Sequence, residues 1–345
     1  MIILNPLKPF YIDKINKTVR MGNFKDTGSE IQYEDESFLT IFKYVKSAIS
    51  KEELINKIIK ETQCSKDDVI NAVDYLISEN FIIEEEKYKQ ILLEKKYSRQ
   101  NLFFSMSNNS FTNYDEIIKN KNILILGLGG IGSNVAFMLN RAGCNSFTFV
   151  DYDKVDESNL IRQFPYDESQ LNMFKTAALK SKMNKNTKIL KREKEILCRD
   201  DIVNDIANAD LVLCTLDKPN RVIRRIVNAV CVELNKPVIF SGFSEHVAMV
   251  GPFVIPHKTA CLMCLEKNIE ELPLENVDIV PSYGPLCMII SSIVVNEIIN
   301  FFTKYNKFNL TGKTLMFNIL NYESEIINWN QKSNCEVCGI NDGDK

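Results

Sequence analysis

The chain has 345 residues, with 42 Lys+Arg against 45 Asp+Glu and a formal net charge of −3. That length allows one large domain and one small one, and the interspersed charges exclude the basic excess of a nucleic-acid or anionic-membrane binder. Lys8, Asp13, Lys14 and Lys17 interrupt any signal-like apolar run, and the longest apolar stretch, Leu286 to Val295, includes Ser291 and Ser292 and is too short to span a bilayer. The expected setting is cytoplasmic, with neither membrane nor nucleic acid as partner.

Up to about residue 90, short strands (Phe10 to Ile12, Thr18 to Met21, Glu30 to Tyr33) precede three segments with apolar residues at helical spacing, Ser37 to Lys46, Lys51 to Gln63 and Lys66 to Asn80. Ser65 is the expected N-cap of the third, with Asp68 three residues on. Phe81-Ile82-Ile83 follows as a wing strand, so residues 1–90 read as a small winged-helix-like domain. Charge dominates Glu84 to Arg99 and the polar stretch Ser105 to Asn113 comes next, which places a linker over 91–116.

The domain at 117–345 opens with the buried-strand pattern Asn122 to Leu126, a glycine turn, a helix over Ile131 to Ala142 and the strand Ser146 to Val150, one βαβ unit. Strand and helix then alternate through Thr187 to Glu195, Asp201 to Ala207, Leu211 to Thr215, Arg221 to Leu234 and Pro237 to Ser241. This order predicts an α/β fold with a doubly wound, mainly parallel sheet. Val247 to Ile255 and Leu315 to Asn321 read as strands around the apolar helix Leu286 to Phe302.

Gly127-Leu-Gly129-Gly130-Ile-Gly132 follows a strand and opens a helix, where glycines let the backbone approach phosphate or ribose at the positive helix end. Asp151, ending the next strand, is placed to accept from ribose hydroxyls. These features suit a nicotinamide dehydrogenase as well as an ATP enzyme. Arg162 and Lys175 add the fixed cations that a triphosphate needs, although two isolated basic residues are more often a solvated helix face. Asp217 lies at the carboxyl end of a strand, where open α/β sheets bind ligands and a carboxylate can hold Mg²⁺; the other reading is a helix N-cap.

Cys261 with Cys264 and Cys335 with Cys338 form two CxxC pairs, able to supply the four thiolates of a closed structural Zn²⁺ site that pins the C-terminal tail. A redox pair or plain buried thiols are the alternatives.

In order along the chain, GxGGxG at Gly127 to Gly132, Asp151-x-Asp153, Asn159-Leu-Ile-Arg162-Gln163, Lys175, Leu213-Cys-Thr-Leu-Asp217-Lys-Pro-Asn220, Gly251-Pro-Phe and Cys261-Leu-Met-Cys264 resemble the ThiF/MoeB/HesA superfamily of ubiquitin-activating-like enzymes. The resemblance runs over roughly residues 95–340. It implies an adenylyltransferase that binds ATP and Mg²⁺ with Asp151, Asp153, Asn159, Arg162, Gln163, Lys175 and Asp217 beside Gly127, Gly129, Gly130 and Gly132. Arg162, Lys175 and Asp217 would act at the reacting phosphates, Asp217 as the Mg²⁺ ligand. Tyr97-Ser98-Arg99-Gln100 is similar to the Arg-Gln segment ahead of the fold in this family, which makes Arg99 a candidate finger into a partner subunit and implies a homodimer. A lone Arg in a charged linker is the competing reading.

Leu265 to Tyr283, where ubiquitin-activating enzymes carry their thioester cysteine, has no Cys, and Cys287 opens an apolar helix where packing is its expected role. Adenylation without an enzyme thioester is therefore expected. A carboxylate is already ionised at pH 7, so the protein's task is positioning and charge neutralisation. With His246 and His257 the only histidines, no histidine-centred mechanism is expected.

The front domain, with Glu79-Asn80-Phe81-Ile82-Ile83 and the run from Gly251 to Cys261, makes the chain similar to the microcin C type peptide adenylyltransferases and to leader-recognition modules of ribosomal peptide-modifying enzymes. That likeness implies a short precursor peptide clamped as an added strand. It also implies activation of the peptide's C-terminal carboxylate, to a peptidyl-nucleotide reached through a succinimide and a phosphoramidate bond. The competing readings are an activator of a ubiquitin-like sulfur carrier, a non-catalytic peptide-binding scaffold and a nicotinamide oxidoreductase, with a dimerisation or DNA-binding role for the winged helix.

Overall fold

The structure, a computed structural model, describes residues 1–24, 28–108, 110–216, 222–265 and 281–339. The chain divides into two units, Met1–Tyr114 and Asp115–Lys345.

In the first unit, β1 (Ile2–Leu4) is followed by an antiparallel meander of β2 (Phe10–Asp13), β3 (Thr18–Met21) and β4 (Ser29–Gln32), then by helices Thr40–Tyr44, Lys51–Thr62 and Lys66–Ser78. β5 (Ile82–Glu84) pairs antiparallel with β1, Leu4 opposite Ile82. Ser65 starts its helix as expected, accepting from the Asp68 N–H at 3.2 Å, and Ser50 caps the preceding long helix in the same way, accepting from the Glu53 N–H at 3.0 Å. The apolar stripes Leu54, Ile55, Ile58 and Val69, Val73, Leu76 close on Val19, Met21, Phe42 and Phe81. The charged stretch expected as a linker instead carries helices Glu85–Leu93 and Ser98–Asn108. Its charges sit outside while Ile91, Asn101, Phe104 and Ser105 are buried, and Asn101 Oδ1 accepts from the Tyr114 N–H at 3.1 Å. β1 escaped the sequence because three residues carry no readable period.

The second unit is built on one sheet of β6 (Asn122–Leu126), β7 (Ser146–Val150), β8 (Lys188–Arg192), β9 (Leu211–Cys214), β10 (Val238–Ser244), β11 (Val247–Val254), β12 (Lys313–Asn318) and β13 (Ser324–Asn328). The strand order is β13-β12-β11-β10-β9-β6-β7-β8; pairs from β10 to β8 are parallel and those from β10 to β13 antiparallel. The sheet is therefore doubly wound and parallel through its centre, as expected. β6, β7 and β9 are buried almost throughout, with Thr148 the one buried polar residue in them, because both faces are covered. Leu124 and Leu126 pack with helix Val222–Glu233, while Ile123 and Ile125 alternate to the opposite face. Helix Gly284–Thr303 packs against helix Gly132–Ala142 and strands β10 and β11. By length and composition this helix is apolar enough to cross a membrane, with a mean hydropathy of 1.8, yet 56% of that window is already buried within the chain.

The chain runs from β6 outward through β7 to β8, then returns to the other side of β6 as β9. The carboxyl ends of β6 and β9, Leu126 and Cys214, thus flank the point where the winding reverses, which is where open α/β sheets hold ligands.

Candidate active site

A cavity of about 500 Å³ opens at that switch point, lined by Gly127, Gly129, Gly130, Asp151, Asp153, Arg162, Gln163 and Lys175 among the expected residues. Gly127 holds φ +92° as the chain leaves β6, a conformation that disfavours any side chain. A Cβ at Gly132 would lie 1.9 Å from the Gly127 carbonyl oxygen, so this glycine is what lets the turn fold back onto the helix start. A Cβ at Gly129 would meet nothing within 4 Å: the loop backbone faces open space there.

Asp151, directly after β7, is buried; its Oδ2 accepts the Leu128 N–H at 2.6 Å and its Oδ1 the Asp153 N–H at 2.8 Å. Burial raises its pKa above the ordinary carboxylate value, opposed by the Lys175 charge and by those two amides. Lys175 has a side chain only 7% exposed and pairs through Nζ with Asp153 Oδ2 at 2.8 Å. The Tyr166 hydroxyl donates to the carbonyls of Leu128 at 3.2 Å and Lys175 at 3.4 Å, tying the glycine loop to the start of helix Lys175–Lys182. Arg162, half-buried, donates from Nη1 to the Ser158 carbonyl at 2.6 Å, and Asn134 Nδ2 donates to the carbonyls of both Gly130 and Arg162 at 2.6 and 3.0 Å. Gln163 is 2% exposed, and its Oε1 has no hydrogen-bond partner among the described residues. An orphaned buried acceptor in a cation-lined cavity is a site that a polar ligand completes.

Asn159 and Gly132 do not line the cavity. The Asn159 Oδ1 accepts the Asp156 N–H at 3.2 Å within a local capping box, so its amide shapes the turn that presents Arg162. Arg99 lies in the first unit, exposed on helix Ser98–Asn108. Asp217 falls outside the described residues, as does most of Leu265 to Tyr283. Cys287 reaches the cavity: its Sγ would be 2.8 Å from a Cβ built on Gly130, and burial pushes the thiol up while Arg162 pulls it down. The sequence singled out neither Arg224 nor Thr215, which also line the cavity. Arg224 belongs to a run of basic residues that reads as a solvated helix face, and only the packing of helix Val222–Glu233 brings it inward.

The two CxxC pairs meet, as expected. The four Sγ atoms lie within 4.8 Å of one another, with Cys261 to Cys335 at 3.6 Å and Cys264 to Cys338 at 3.4 Å. Zn–S bonds of about 2.3 Å in a tetrahedron put sulfurs about 3.8 Å apart, so this all-thiolate set fits a closed Zn²⁺ site. Asn228, fully buried, accepts the Leu262 N–H at 3.0 Å through Oδ1, and its Nδ2 has no hydrogen-bond partner among the described residues. That amide is the neighbour of the Cys261 thiol and lowers its pKa against the stronger, raising effect of burial. An unpartnered buried amide N–H beside a metal-binding thiolate is placed to support it once the metal draws the sulfurs together.

Comparison with known proteins agrees with this geometry. A model of the ThiF family matches residues 97–337. The chain is 27% identical over 226 residues to the molybdopterin-synthase adenylyltransferase of Escherichia coli, covering 65% of this chain and 89% of that enzyme. It is 26% identical over 254 residues to the sulfur carrier protein ThiS adenylyltransferase of Escherichia coli, covering 72% and 96%. Among solved structures, Escherichia coli MccB with ATP superposes with a TM-score of 0.81 at 22% identity, over 98% of this chain and 99% of MccB. PaaA superposes with a TM-score of 0.73 at 17% identity over 94% of this chain and 99% of PaaA. The family match spans the glycine loop, the cation-lined cavity and three of the four clustered cysteines, and the chain belongs to the ThiF family as an adenylyltransferase of that type.

Proposed function

We propose that this enzyme uses ATP and Mg²⁺ to adenylate the C-terminal carboxylate of a short ribosomal peptide held by its first unit. The observation that carries the reading is the cavity at the switch point, where a buried Lys175, Arg162 and the unpartnered Gln163 Oε1 converge on a glycine loop at a helix N-terminus. Asp151 receives the ribose hydroxyls, the loop amides seat the phosphates, the Gln163 Oε1 accepts from a hydroxyl or an Mg²⁺-bound water, and Arg162 and Lys175 neutralise the phosphate charge. Asp153 holds Lys175 in place until the nucleotide arrives. Asp217 is proposed as the carboxylate that holds Mg²⁺, which supplies charge neutralisation on the phosphates.

In the reaction a carboxylate oxygen forms a bond to the α-phosphorus, the bond to the bridging oxygen of pyrophosphate breaks, and pyrophosphate leaves with that electron pair. No proton moves, so the absence of a histidine from the cavity lining costs nothing. Cys287, buried with a raised pKa, supports direct adenylation without an enzyme thioester.

A peptide substrate is favoured over a sulfur carrier by the first unit. The sulfur-carrier enzymes match through 89% and 96% of their own length while covering 65% and 72% of this chain, whereas MccB, solved with MccA, extends over 98% of it. Among the described residues no strand pairs with the outer edges of β2 and β4, which suits an added strand. A homodimer is favoured by helix Gly284–Thr303, whose Met288, Ile289 and Ile293 and the neighbouring Phe137 and Met138 are only half-buried. Arg99 would then serve the partner's site.

Labelled ATP offered with short peptides ending in asparagine, and separately with a carrier protein ending in Gly-Gly, distinguishes the two acids. A nucleotide adduct on the peptide supports the proposal; an adduct on the carrier alone replaces it with the sulfur-carrier reading.

A further inference from the structure

We propose that Arg224 forms a subsite for the reacting acid, binding the substrate carboxylate at the end of the cavity away from the ribose; this rests on the adenylation reading above. Arg224 stands in the first turn of helix Val222–Glu233 and reaches into the cavity. Its Nε donates to the Leu216 carbonyl at 3.0 Å and its Nη2 to the Ser241 carbonyl at 3.0 Å.

The strand register explains why it can sit there. Parallel pairing of β10 with β9 ends at Phe240 opposite Cys214, while β10 continues to Ser244 against β11 alone. The edge of β10 beyond Phe240 is therefore unpaired on the β9 side, and the guanidinium occupies that edge. It lies over Gly242: a Cβ there would be 2.8 Å from Nη2.

Strands stand about 4.8 Å apart, so the end of β10 is about 14 Å across the sheet from the end of β7, where Asp151 sits. The cavity thus carries cations at separate places. Arg162 lies against the glycine loop, with Cγ 3.5 Å from a Cβ built on Gly130, and belongs with the phosphates. Arg224 stands beyond them. The acid oxygen has to meet the α-phosphorus from the side opposite the leaving pyrophosphate, and with the ribose over β7 and the α-phosphate over β6, the β9–β10 end is the side that remains.

The chemistry of Arg224 matches. Two of its five N–H donors are used on carbonyls, which fix the guanidinium plane without neutralising it, and among the described residues it forms no ion pair with a carboxylate. A half-buried planar cation with free donors is preorganised for a planar anion, and a carboxylate is the group that pairs with it bidentately.

The test uses the full chain and phenylglyoxal, which modifies accessible arginines, with sites mapped by mass spectrometry. A non-hydrolysable ATP analogue with Mg²⁺ is expected to protect Arg162 and leave Arg224 reactive. Sodium acetate is expected to slow modification of Arg224 several-fold, and acetamide at the same ionic strength to do nothing. Protection of Arg224 by the nucleotide alone would make it a phosphate ligand, and equal effects of acetate and acetamide would reduce it to a clamp on two carbonyls; either outcome overturns the proposal. As a second measurement, Arg224→Gln and Gly242→Val, which respectively remove and displace the guanidinium, are expected to raise the KM for a peptide acid in pyrophosphate exchange about a hundredfold while changing the affinity for a fluorescent ATP analogue less than threefold. An equal loss of ATP affinity counts against the subsite. If the wild-type chain exchanges with no peptide, the peptide reading fails while acetate protection still decides Arg224.

Discussion

At the residue scale, the cavity holds two buried ionisable groups, Asp151 and Lys175, and the Lys175 charge opposes the effect of burial on the Asp151 carboxyl. Lys175 is the buried cation, and its removal takes away the ion pair with Asp153 and the charge that lowers the Asp151 pKa. Lys175→Met is expected to lower kcat/KM about a hundredfold, about 3 kcal/mol of transition-state stabilisation, with Arg162→Ala of similar size, both read by ATP–pyrophosphate exchange. Full exchange activity in either variant would remove the phosphate-binding assignment. Asp151 supplies a pH dependence whose sign follows from its raised pKa. Folding favours its protonated form, so its contribution to the stability of the nucleotide-free protein is fully present below the unfolded value near 3.9 and is lost as pH rises through the higher folded value. Nucleotide binding needs the ionised form and moves the other way. The ATP-induced rise in melting temperature is expected to shrink on acidification, starting at a pH above the ordinary Asp range. Asp151→Asn should flatten that profile, and an unchanged profile in the variant would assign the titration elsewhere.

At the scale of the element, two short devices set the site. The glycine loop closes only because Gly132 carries no side chain next to the Gly127 carbonyl. Gly132→Ala is expected to cost about 3 kcal/mol or more, a fall of about 10 °C in Tm, measured by calorimetry; a near-native Tm would show that the loop opens without penalty. The cysteine cluster ties the tail to helix Val222–Glu233 through Asn228, one helical turn beyond Arg224. Asn228→Leu is expected to speed zinc release to a chelator by ten- to a hundredfold, and Cys335→Ser to leave the purified protein with less than one zinc per chain. Release at the wild-type rate would show that the Asn228 amide does not support the Cys261 thiolate.

For the whole molecule, the proposal couples a peptide-holding unit to an adenylating one. Hydrogen exchange offers the direct check: a bound peptide is expected to slow amide exchange at an outer edge strand, Phe10–Asp13 or Ser29–Gln32, while ATP alone slows exchange at the glycine loop. Protection of the second unit only would argue that the first unit has another role. The half-buried apolar face of helix Gly284–Thr303 predicts self-association, and Ile293→Asp is expected to shift the protein to a monomer on size-exclusion chromatography.

Much of the nucleotide site is legible in the sequence because its parts are local: a strand, a glycine turn and a helix start follow one another, and Asp151 closes the next strand. The CxxC spacings likewise announce four thiolates, although 70 residues separate the pairs, because each pair presets its own half of the site. The helix at Glu85–Leu93 was hidden by its exposed charges, that at Ser98–Asn108 by its polar composition, β1 by its brevity and β13 by its exposed edge position. What only the tertiary structure decided was which side chains share a cavity. Arg224 and Cys287 enter it from helices remote in sequence from the glycine loop, and Asn159 turns away from it into a cap. Periodicity and motif spacing report which face of one element is buried, whereas the sharing of a cavity depends on strand order and on where β10 outruns β9.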